Sequence, residues 1–504
     1  MGVSSGQEPV RALHENDLRH GRRSDESAAA SPFLDGTHRE VVMLKSKLFP
    51  ALTVSLYVAL VAFVFWQLMT RANVTAQGPV PAGTAGTDRT SGPTSSADRL
   101  IGQHAQRLID EGRQIFRYDT FGSEAFWGDA LQLHKAIAGA KNGGVGDGVS
   151  PKMALSVGLK VDADALPDAL KQQIKDGTAN LDDPSTTLAL LKLNSVVGVT
   201  GLFDANGSIR SMGIQCSFCH STVDDSFAPG IGKRLDAYAN RDLNVGAIMS
   251  LAPNLKPVTD LLGVDAATVK KAVGLWGPGR FDAILDKDGK AIRPDGKQAG
   301  TLIPPAFGLA GINLHTWTGW GSVPYWNAYV GATEMHGAGT FFDRRLADKT
   351  QFPVAARSGA YNTRGTPDRI TAKLAALHFY QLAIPAPTPP AGSYSADAAN
   401  RGKTVFEGKG KCATCHVPPL FTEPGYNLHT PAEVGVDSFQ ADRSPTHMYR
   451  TAPLAGLWSH EKGGFYHDGR FATLKDVVAH YTGLLKLTLT EREQADLIEY
   501  LKSL

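Results

Sequence analysis

The longest uninterrupted apolar stretch of the chain lies near its N-terminus. Residues 48–70 (LFPALTVSLYVALVAFVFWQLMT) contain no charged side chain, and a helix needs about 20 apolar residues to cross the hydrocarbon core of a bilayer. Lys45 and Lys47 precede the stretch, whereas only Arg71 follows it closely. This bias predicts a single-pass inner-membrane helix with the N-terminus in the cytoplasm. A cleaved signal peptide is the alternative, because residues 74–76 resemble a small-residue cleavage site.

Polar segments on both sides of this stretch, and a later proline-rich segment, predict the domain boundaries. Residues 1–47 show no hydrophobic periodicity and are expected to form a disordered cytoplasmic tail. Residues 71–96 are rich in Gly, Pro, Ser and Thr, a composition typical of flexible linkers. The sequence PAPTPPAG after Ile384 cannot sustain a helix or a sheet. We therefore expect a first domain over 97–384, with an N-terminal extension, and a second over 395–504.

Helical spacing dominates the hydrophobic pattern within both domains. It predicts helices over 98–116 and 167–177, and a helix that begins at Ser395. Thr490 followed by Glu493 predicts a capping box at the start of a C-terminal helix. We expect the first and last helices of the second domain to pack across one another. Because no strongly alternating strands are visible, the predicted fold is mainly α.

Composition and charge exclude few classes of function. Hydrophobic residues make up 42% of the 504-residue chain and charged residues 20%, which is enough apolar material for large cores. The net charge of +2 argues against a nucleic-acid partner, which would require a concentrated basic face.

All cysteines of the chain lie in two Cys-x-x-Cys-His motifs. Two cysteines about one turn apart can each form a thioether with one porphyrin, and the adjacent histidine can then bind the iron. A four-thiolate zinc site or two redox dithiols are the alternatives, but neither explains a histidine after both pairs. We therefore predict two covalently bound c-type haems and two cytochrome c-type domains, with the attachment and ligand residues Cys216, Cys219, His220, Cys412, Cys415 and His416.

The C-terminal region also resembles a known superfamily. Residues 449–458 (YRTAPLAGLW) and 465–474 (FYHDGRFATL) are similar to the C-terminal domain of bacterial di-haem cytochrome c peroxidases. That superfamily also includes the methylamine-utilisation di-haem enzyme and the di-haem rubber oxygenase. The resemblance is specific from Ala396 onward, weaker over 216–334, and absent before residue 97. It implies that one haem passes electrons while the other meets peroxide.

The resemblance implies a distal ligand for the second iron on the helix after the His-Asp-Gly motif, where this chain has His480 and Tyr481. Tyr481 occupies the position that is methionine in the peroxidases and tyrosine in the methylamine-utilisation enzyme. Neighbouring residues on a helix point about 100° apart, so the two side chains cannot both face one iron. Tyr481 is favoured, while His480 and a core role for both remain open.

The first haem motif departs from the superfamily pattern. The peroxidases carry a histidine in an Ile-Gly-His setting after the motif, whereas here Ile231 and Gly232 are followed by Lys233. A lysine is a poor haem ligand unless it is deprotonated, and its ordinary role is a solvated charge. We therefore expect the first iron to be five-coordinate and open, as binding of peroxide or dioxygen requires.

Two further residues are implied as catalytic. Trp317 lies in a segment that resembles one whose tryptophan carries electrons between the haems, although packing is also a common role for tryptophan. Glu334 stands near the place of a family Glu-Met pair, with the spacing a few residues short, and would move protons during O–O cleavage. His315 and His336 are alternative acid/base groups or hydrogen-bonded loop histidines. Calcium occurs between the domains of relatives, but no Asp-rich calcium loop is visible.

Three functions are compatible with these features. The first is a peroxidase-like oxidoreductase that reduces hydrogen peroxide with electrons from a periplasmic donor such as a small cytochrome or a cupredoxin. The second is a membrane-anchored electron-transfer cytochrome without catalysis. The third is a dioxygen-activating oxygenase, suggested by the extended first domain. The missing distal histidine favours the enzyme. Both topologies of residues 48–70 place the haem domains in the periplasm.

Overall fold

The structure, a computed structural model, describes residues 95–504. The predicted tail, the apolar stretch at 48–70 and nearly all of the linker lie outside the described residues. Within the described part of the chain, no helix combines the length and apolar character needed to cross a membrane.

Helices account for most of the regular structure, as the sequence predicts. In the described region the α-helices α1 to α18 are, in chain order, Ser96–Tyr118, Leu133–Ala138, Pro151–Ser156, Asp168–Lys175, Pro184–Lys192, Ser217–His220, Val245–Ser250, Lys256–Leu262, Ala266–Gly274, Leu285–Asp288, Val323–Tyr329, Pro353–Ser358, Leu374–Ala383, Ala396–Glu407, Pro431–Val434, Phe439–Asp442, Leu474–Leu484 and Glu491–Lys502. Short 3₁₀ helices cover Ala140–Asn142, Ala163–Ala165, Arg344–Ala347, Thr371–Lys373, Cys412–Thr414 and Leu457–His460, and π-helical turns cover Ala125–Ala130 and Val330–Glu334.

Within residues 95–504, ten short strands form five two-stranded sheets, which the hydrophobic pattern did not reveal. Strands β1 to β10 are Val161–Asp162, Val199–Phe203, Ile209–Ile214, Ser221–Val223, Ile231–Gly232, Arg234–Asp236, Arg280–Phe281, Thr301–Leu302, Thr340–Phe342 and Asn362–Arg364. The pairs are β1–β5, which is parallel, and the antiparallel β2–β3, β4–β6, β7–β8 and β9–β10. Most of these strands have two or three residues, too few for an alternating pattern to stand out.

Buried apolar side chains form a large cluster within residues 115–380 and a second, smaller cluster within 399–501. Helix α1 begins two residues before the predicted 98–116 and ends two residues after it. The predicted helix over 167–177 is observed as Asp168–Lys175. The domain boundary at the proline-rich segment stays a prediction, with separate clusters on its two sides.

The C-terminal domain closes as the sequence predicts. Ser395 caps helix α14, and Thr490 forms a reciprocal capping box with Glu493 at the start of α18. These two helices cross so closely that a Cβ atom on Gly402 would lie 1.9 Å from the carbonyl oxygen of Asp496. The glycine therefore permits the helix contact on which the domain is built.

Helix α1 makes a similar close contact with α13 at Gly112, where an added Cβ atom would lie 2.1 Å from the carbonyl oxygen of Ala376. We expect Gly112→Ala to lower the free energy of unfolding by about 1–3 kcal/mol, because the helices must separate to accommodate the methyl group. Among the described residues, none has an atom within 4 Å of a Cβ added at Gly102, on the same helix. Gly102→Ala is expected to be neutral or to stabilise by about 0.5–1 kcal/mol. Urea unfolding of both variants tests this contrast, and equal effects would contradict the packing.

Candidate haem sites

The first Cys-x-x-Cys-His motif is held between two small sheets. The β2–β3 hairpin ends at Ile214, and Gln215 then donates its backbone N–H to the carbonyl of Gly198 at 3.0 Å. Gly198 has φ +82°, and a Cβ atom there would lie 2.1 Å from Cα of Phe218, so only glycine fits against the motif. The sheets thus fix helix α6, which carries the last four residues of the motif.

Backbone hydrogen bonds secure the other side of this motif. The carbonyl of His220 accepts from Ala237 N–H at 2.7 Å, and the carbonyl of Cys219 accepts from Asn240 N–H at 2.9 Å. The His220 ring places Nδ1 3.1 Å from the carbonyl oxygen of Pro304. With Nδ1–H donating to that oxygen, Nε2 keeps its lone pair, which is the donor that a haem iron requires.

The second motif has the same chemistry in a different setting. After α14, the chain turns through Lys411 at φ +55° into the 3₁₀ turn Cys412–Thr414. Nδ1 of His416 lies 3.0 Å from the carbonyl oxygen of Phe421, so its Nε2 is also available. Burial lowers the pKa of both histidines, for His220 to about 4, which keeps both imidazoles neutral and competent as ligands.

The four thiols do not form the alternative zinc site. Within residues 95–504, the one group of three or more potential metal ligands is Cys415 with Glu423 and His429, and it includes no second cysteine. Burial raises the pKa of Cys216 and Cys219 to about 12, which opposes the thiolate form that zinc binding and dithiol exchange require. The donor set of each motif therefore fits a haem better than it fits zinc.

The geometry of α17 distinguishes its two candidate ligands. His480 places Nε2 2.9 Å from the carbonyl oxygen of Val434, so this nitrogen is already engaged in a hydrogen bond. Tyr481 is partly buried, and its pKa is raised by burial and by the nearby Cys415 and Cys412. Tyr481 thus lies near the attachment cysteines of the second haem, while His480 is held by its contact with the end of helix α15. Its role as a ligand stays a prediction.

Glu334 lies in a cavity walled by the first domain. It ends the π-helical turn Val330–Glu334, a type of helix irregularity frequent at functional sites. The lining residues include Trp276, Phe281, Asp286 and His336, together with apolar side chains of α7 and α8. His336 stacks on Phe126 with ring centroids 3.6 Å apart. The structure therefore brings Glu334 and His336 to the same cavity.

A buried lysine, which sequence reasoning missed, holds Glu334. Lys287 has a fully buried side chain, and its Nζ lies 3.0 Å from Oε1 of Glu334 and contacts Asp286. Burial and the negative Asp286 raise the pKa of Glu334, while Lys287 opposes that rise. One ammonium cannot neutralise two carboxylates, so Glu334 retains its proton above the usual range. The segment DKDGK around Lys287 has the composition of an ordinary exposed turn. Nothing in the neighbouring sequence indicates that Lys287 is buried.

Trp317 contacts residues on both sides of the predicted domain boundary. Its indole N–H donates to the carbonyl of Leu302 at 2.9 Å, and its own carbonyl accepts from Arg450 N–H at 3.1 Å. Leu302 in turn donates its N–H to the carbonyl of His467 in the second domain at 2.7 Å. The predicted relay residue is thus bonded to both domains.

The remaining sequence candidates have structural roles or lie at the surface. Lys233 is exposed, which suits a solvated charge. His315 is buried, its Nε2 is 3.0 Å from the carbonyl oxygen of Ile312, and burial lowers its pKa to about 4. This matches a hydrogen-bonded loop histidine.

Comparison with known proteins identifies one curated relative. The methylamine utilization protein MauG of Methylorubrum extorquens (strain AM1) is 30% identical over 123 residues, which are 21% of this chain and 34% of the relative. The chain thus matches about a third of that relative's length. No family profile matches the sequence.

Two solved structures show weak similarity. One is a MauG-like protein associated with microbial copper homeostasis, 16% identical with a TM-score of 0.28. The other is hydrazine synthase of Kuenenia stuttgartiensis, 20% identical with a TM-score of 0.23. Each alignment covers 42% of this chain and 75% of the other. The match to MauG confirms the resemblance of this chain to the di-haem cytochrome c peroxidase superfamily.

Proposed function

We propose that this chain is a di-haem c-type oxidoreductase that reduces hydrogen peroxide at the haem attached to Cys216 and Cys219. The observation that carries the proposal is the pair of motif histidines, each with Nδ1 within hydrogen-bond distance of a carbonyl oxygen. A bound haem with an open iron position would supply the electron-transfer chemistry for H₂O₂ + 2H⁺ + 2e⁻ → 2H₂O. The residues of the chain must then supply protons, position the cofactors and exclude water.

Glu334 is the proposed proton donor. Its raised pKa leaves the carboxyl protonated near neutral pH, and its cavity is lined mainly by apolar side chains. Lys287 is a positioning residue, because its ammonium fixes Oε1 through the 3.0 Å contact. Oγ1 of Thr333, whose hydroxyl donates to the carbonyl of Tyr329 at 2.8 Å, lies 3.0 Å from the same oxygen. These contacts hold the carboxyl in one orientation, so that the proton is delivered at a fixed point.

The second domain is proposed to deliver the electrons. A periplasmic donor, such as a small cytochrome or a cupredoxin, would reduce the haem attached to Cys412 and Cys415. Trp317 would then relay electrons toward the first domain, consistent with its hydrogen bonds to both domains. The proposed location is the periplasm, with residues 48–70 as an anchor or a removed signal.

Replacement of His220 tests the assignment of the two haems. We expect His220→Gly to abolish the reaction with peroxide and to leave the second haem's spectrum intact, because Cys412 of the second motif packs against a separate hydrophobic cluster. Added imidazole should restore part of the reaction by occupying the vacated position. His416→Gly is the matched control, with the opposite haem affected. Loss of both haem signals in His220→Gly would contradict the assignment.

Tyr481 is proposed as the distal ligand of the second iron. A tyrosinate stabilises ferric iron, so Tyr481→Phe is expected to raise the midpoint potential of one haem and to change its low-spin spectrum. His480→Ala should leave both unchanged, because its Nε2 bonds the carbonyl of Val434. Redox titration, followed by optical and electron paramagnetic resonance spectra, distinguishes the two candidate ligands. The reverse pattern would assign His480 as the ligand.

A further inference from the structure

Two arginines lie close together at the boundary of the two domains without a carboxylate partner. Arg241 is 7% exposed, and its Nε and Nη1 atoms have no hydrogen-bond partner in the described structure. Arg280 also has an unpartnered Nε, and its Nη2 reaches only the backbone oxygen of Asp468 at 3.3 Å. Burial and the neighbouring Arg280 lower the pKa of Arg241 to about 10. Burying a charged guanidinium without a counterion costs free energy. A bound anion would therefore stabilise this arrangement.

A histidine from the second domain completes the cluster. His460 ends the 3₁₀ helix Leu457–His460, and its Nε2 is buried without a partner. Burial and the nearby Arg241 lower the pKa of His460 to about 3, so the ring is neutral and can donate one N–H. Its ring stacks on Phe307 with centroids 5.9 Å apart. Donors from both domains therefore converge on one region.

The nearest carboxylates form ion pairs with other cations. Asp242, which follows Arg241, lies 2.7 Å from Lys160 Nζ and also pairs with Lys462. Asp468 lies 2.7 Å from Arg470. Among residues 95–504, no carboxylate forms an ion pair with Arg241 or Arg280. The missing negative charge must come from outside this part of the chain.

The cluster lies beside the first haem motif. Asn240, next to Arg241, donates its N–H to the carbonyl of Cys219 at 2.9 Å. Phe307, on which His460 stacks, follows closely after Pro304, whose carbonyl oxygen lies 3.1 Å from Nδ1 of His220. Arg241 and His460 are therefore each next to a segment that contacts the residues that would hold the haem.

We propose that Arg241, Arg280 and His460 form a binding site for one carboxylate or similar oxyanion, and that the occupant is a propionate of the haem attached to Cys216 and Cys219. This inference rests on the haem attachment in the proposed function. A guanidinium and a carboxylate match in geometry and charge. With His460 as a donor from the second domain, the propionate would also connect the two domains.

Arg241→Gln in the haem-loaded protein tests the site. We expect two haems per chain, a shifted propionate-bending band of one haem in the resonance Raman spectrum, and a lower midpoint potential for that haem. Loss of a nearby cation favours ferric iron, and the expected change is at least tenfold in the ferric/ferrous equilibrium, or about 59 mV. Arg345→Gln, which removes a partner of the distant Asp343, is the matched control and should change neither property.

The outcomes separate this inference from the proposed function. Two haems with an unchanged band and unchanged potentials in Arg241→Gln overturn the propionate site alone, whereas an absence of haem in the wild-type protein overturns both. If inorganic phosphate changes the wild-type potential while the band stays constant, the occupant is a free anion and not the propionate. If Arg241→Gln is not recovered folded, Arg241→Lys tests the propionate band alone, because it keeps the charge but loses the two-nitrogen geometry; an unchanged band would overturn the site.

Discussion

Replacing Glu334 by Gln is expected to lower peroxide turnover by about 100- to 10,000-fold, the usual contribution of a positioned acid or base. The amide preserves the size of the side chain but has no proton to transfer at this position. Haem content and the ferric spectra should stay as in the wild type. Steady-state peroxide reduction with a chemically reduced donor measures the loss.

The pH dependence of this reaction identifies the carboxyl. Because the pKa of Glu334 is raised, its protonated form persists to higher pH than for an ordinary glutamate, and activity falls as the pH rises through that pKa. This high-pH limb of the activity profile should be absent in Glu334→Gln. It should move to higher pH in Lys287→Met, since Lys287 is the group that lowers the pKa of Glu334.

The control for these variants is a carboxyl outside the cavity. Glu407 is exposed on α14 and pairs with Lys403 at 3.9 Å. Glu407→Gln should retain both the rate and the pH limb. A Glu334→Gln variant with wild-type turnover and an unchanged pH limb would remove Glu334 from the mechanism.

Replacing Arg443 by Met is expected to destabilise the protein by about 3–5 kcal/mol, the cost of leaving buried charges unpaired. Arg443 is fully buried and bonds Asp282 at 3.0 and 3.1 Å and Asp288 at 2.7 and 3.0 Å. The arginine comes from the second domain and the two aspartates from the first. Its loss would leave two carboxylates in the interior without a cation.

Two further variants show whether buried charge is the cause. Arg443→Met combined with Asp282→Asn and Asp288→Asn should recover much of the loss, because the unpaired charges are gone. Arg401→Met removes a solvent-screened ion pair with Asp496 and should cost much less than Arg443→Met. Urea unfolding measures all three. Equal losses for Arg443→Met and Arg401→Met would contradict the buried network.

Arg443 also connects the second domain to the cavity. Asp288 and Lys287 are neighbours on the short helix α10, so the residue that positions Glu334 is held in place by an arginine of the other domain. Arg443→Met should therefore disturb the pH limb of peroxide turnover as well as stability.

The features that could be predicted are those that depend on residues close together in the sequence. The capping side chains Ser395 and Thr490, the length of α1 and the crossing of the terminal helices of the second domain follow from short-range spacing. The two haem motifs were visible because their residues are adjacent. The β2–β3 hairpin was missed, because its strands of five and six residues carry no clear alternation.

Contacts between distant segments could not be predicted from the sequence. Lys287 and Glu334 are 47 positions apart, and Arg443 and Asp288 are 155 apart. A charged side chain in a polar turn looks the same whether it is exposed or buried against a partner that folding brings to it. The same holds for Arg241, whose burial beside Arg280 depends on the packing of both domains.

Electron paramagnetic resonance of the purified ferric protein, before and after stoichiometric hydrogen peroxide, tests the central claim most directly. An open first haem predicts a high-spin signal beside a low-spin signal, with the high-spin signal lost on addition of peroxide. Two low-spin signals that do not respond to peroxide, even after half-reduction, would contradict the account and leave an electron carrier.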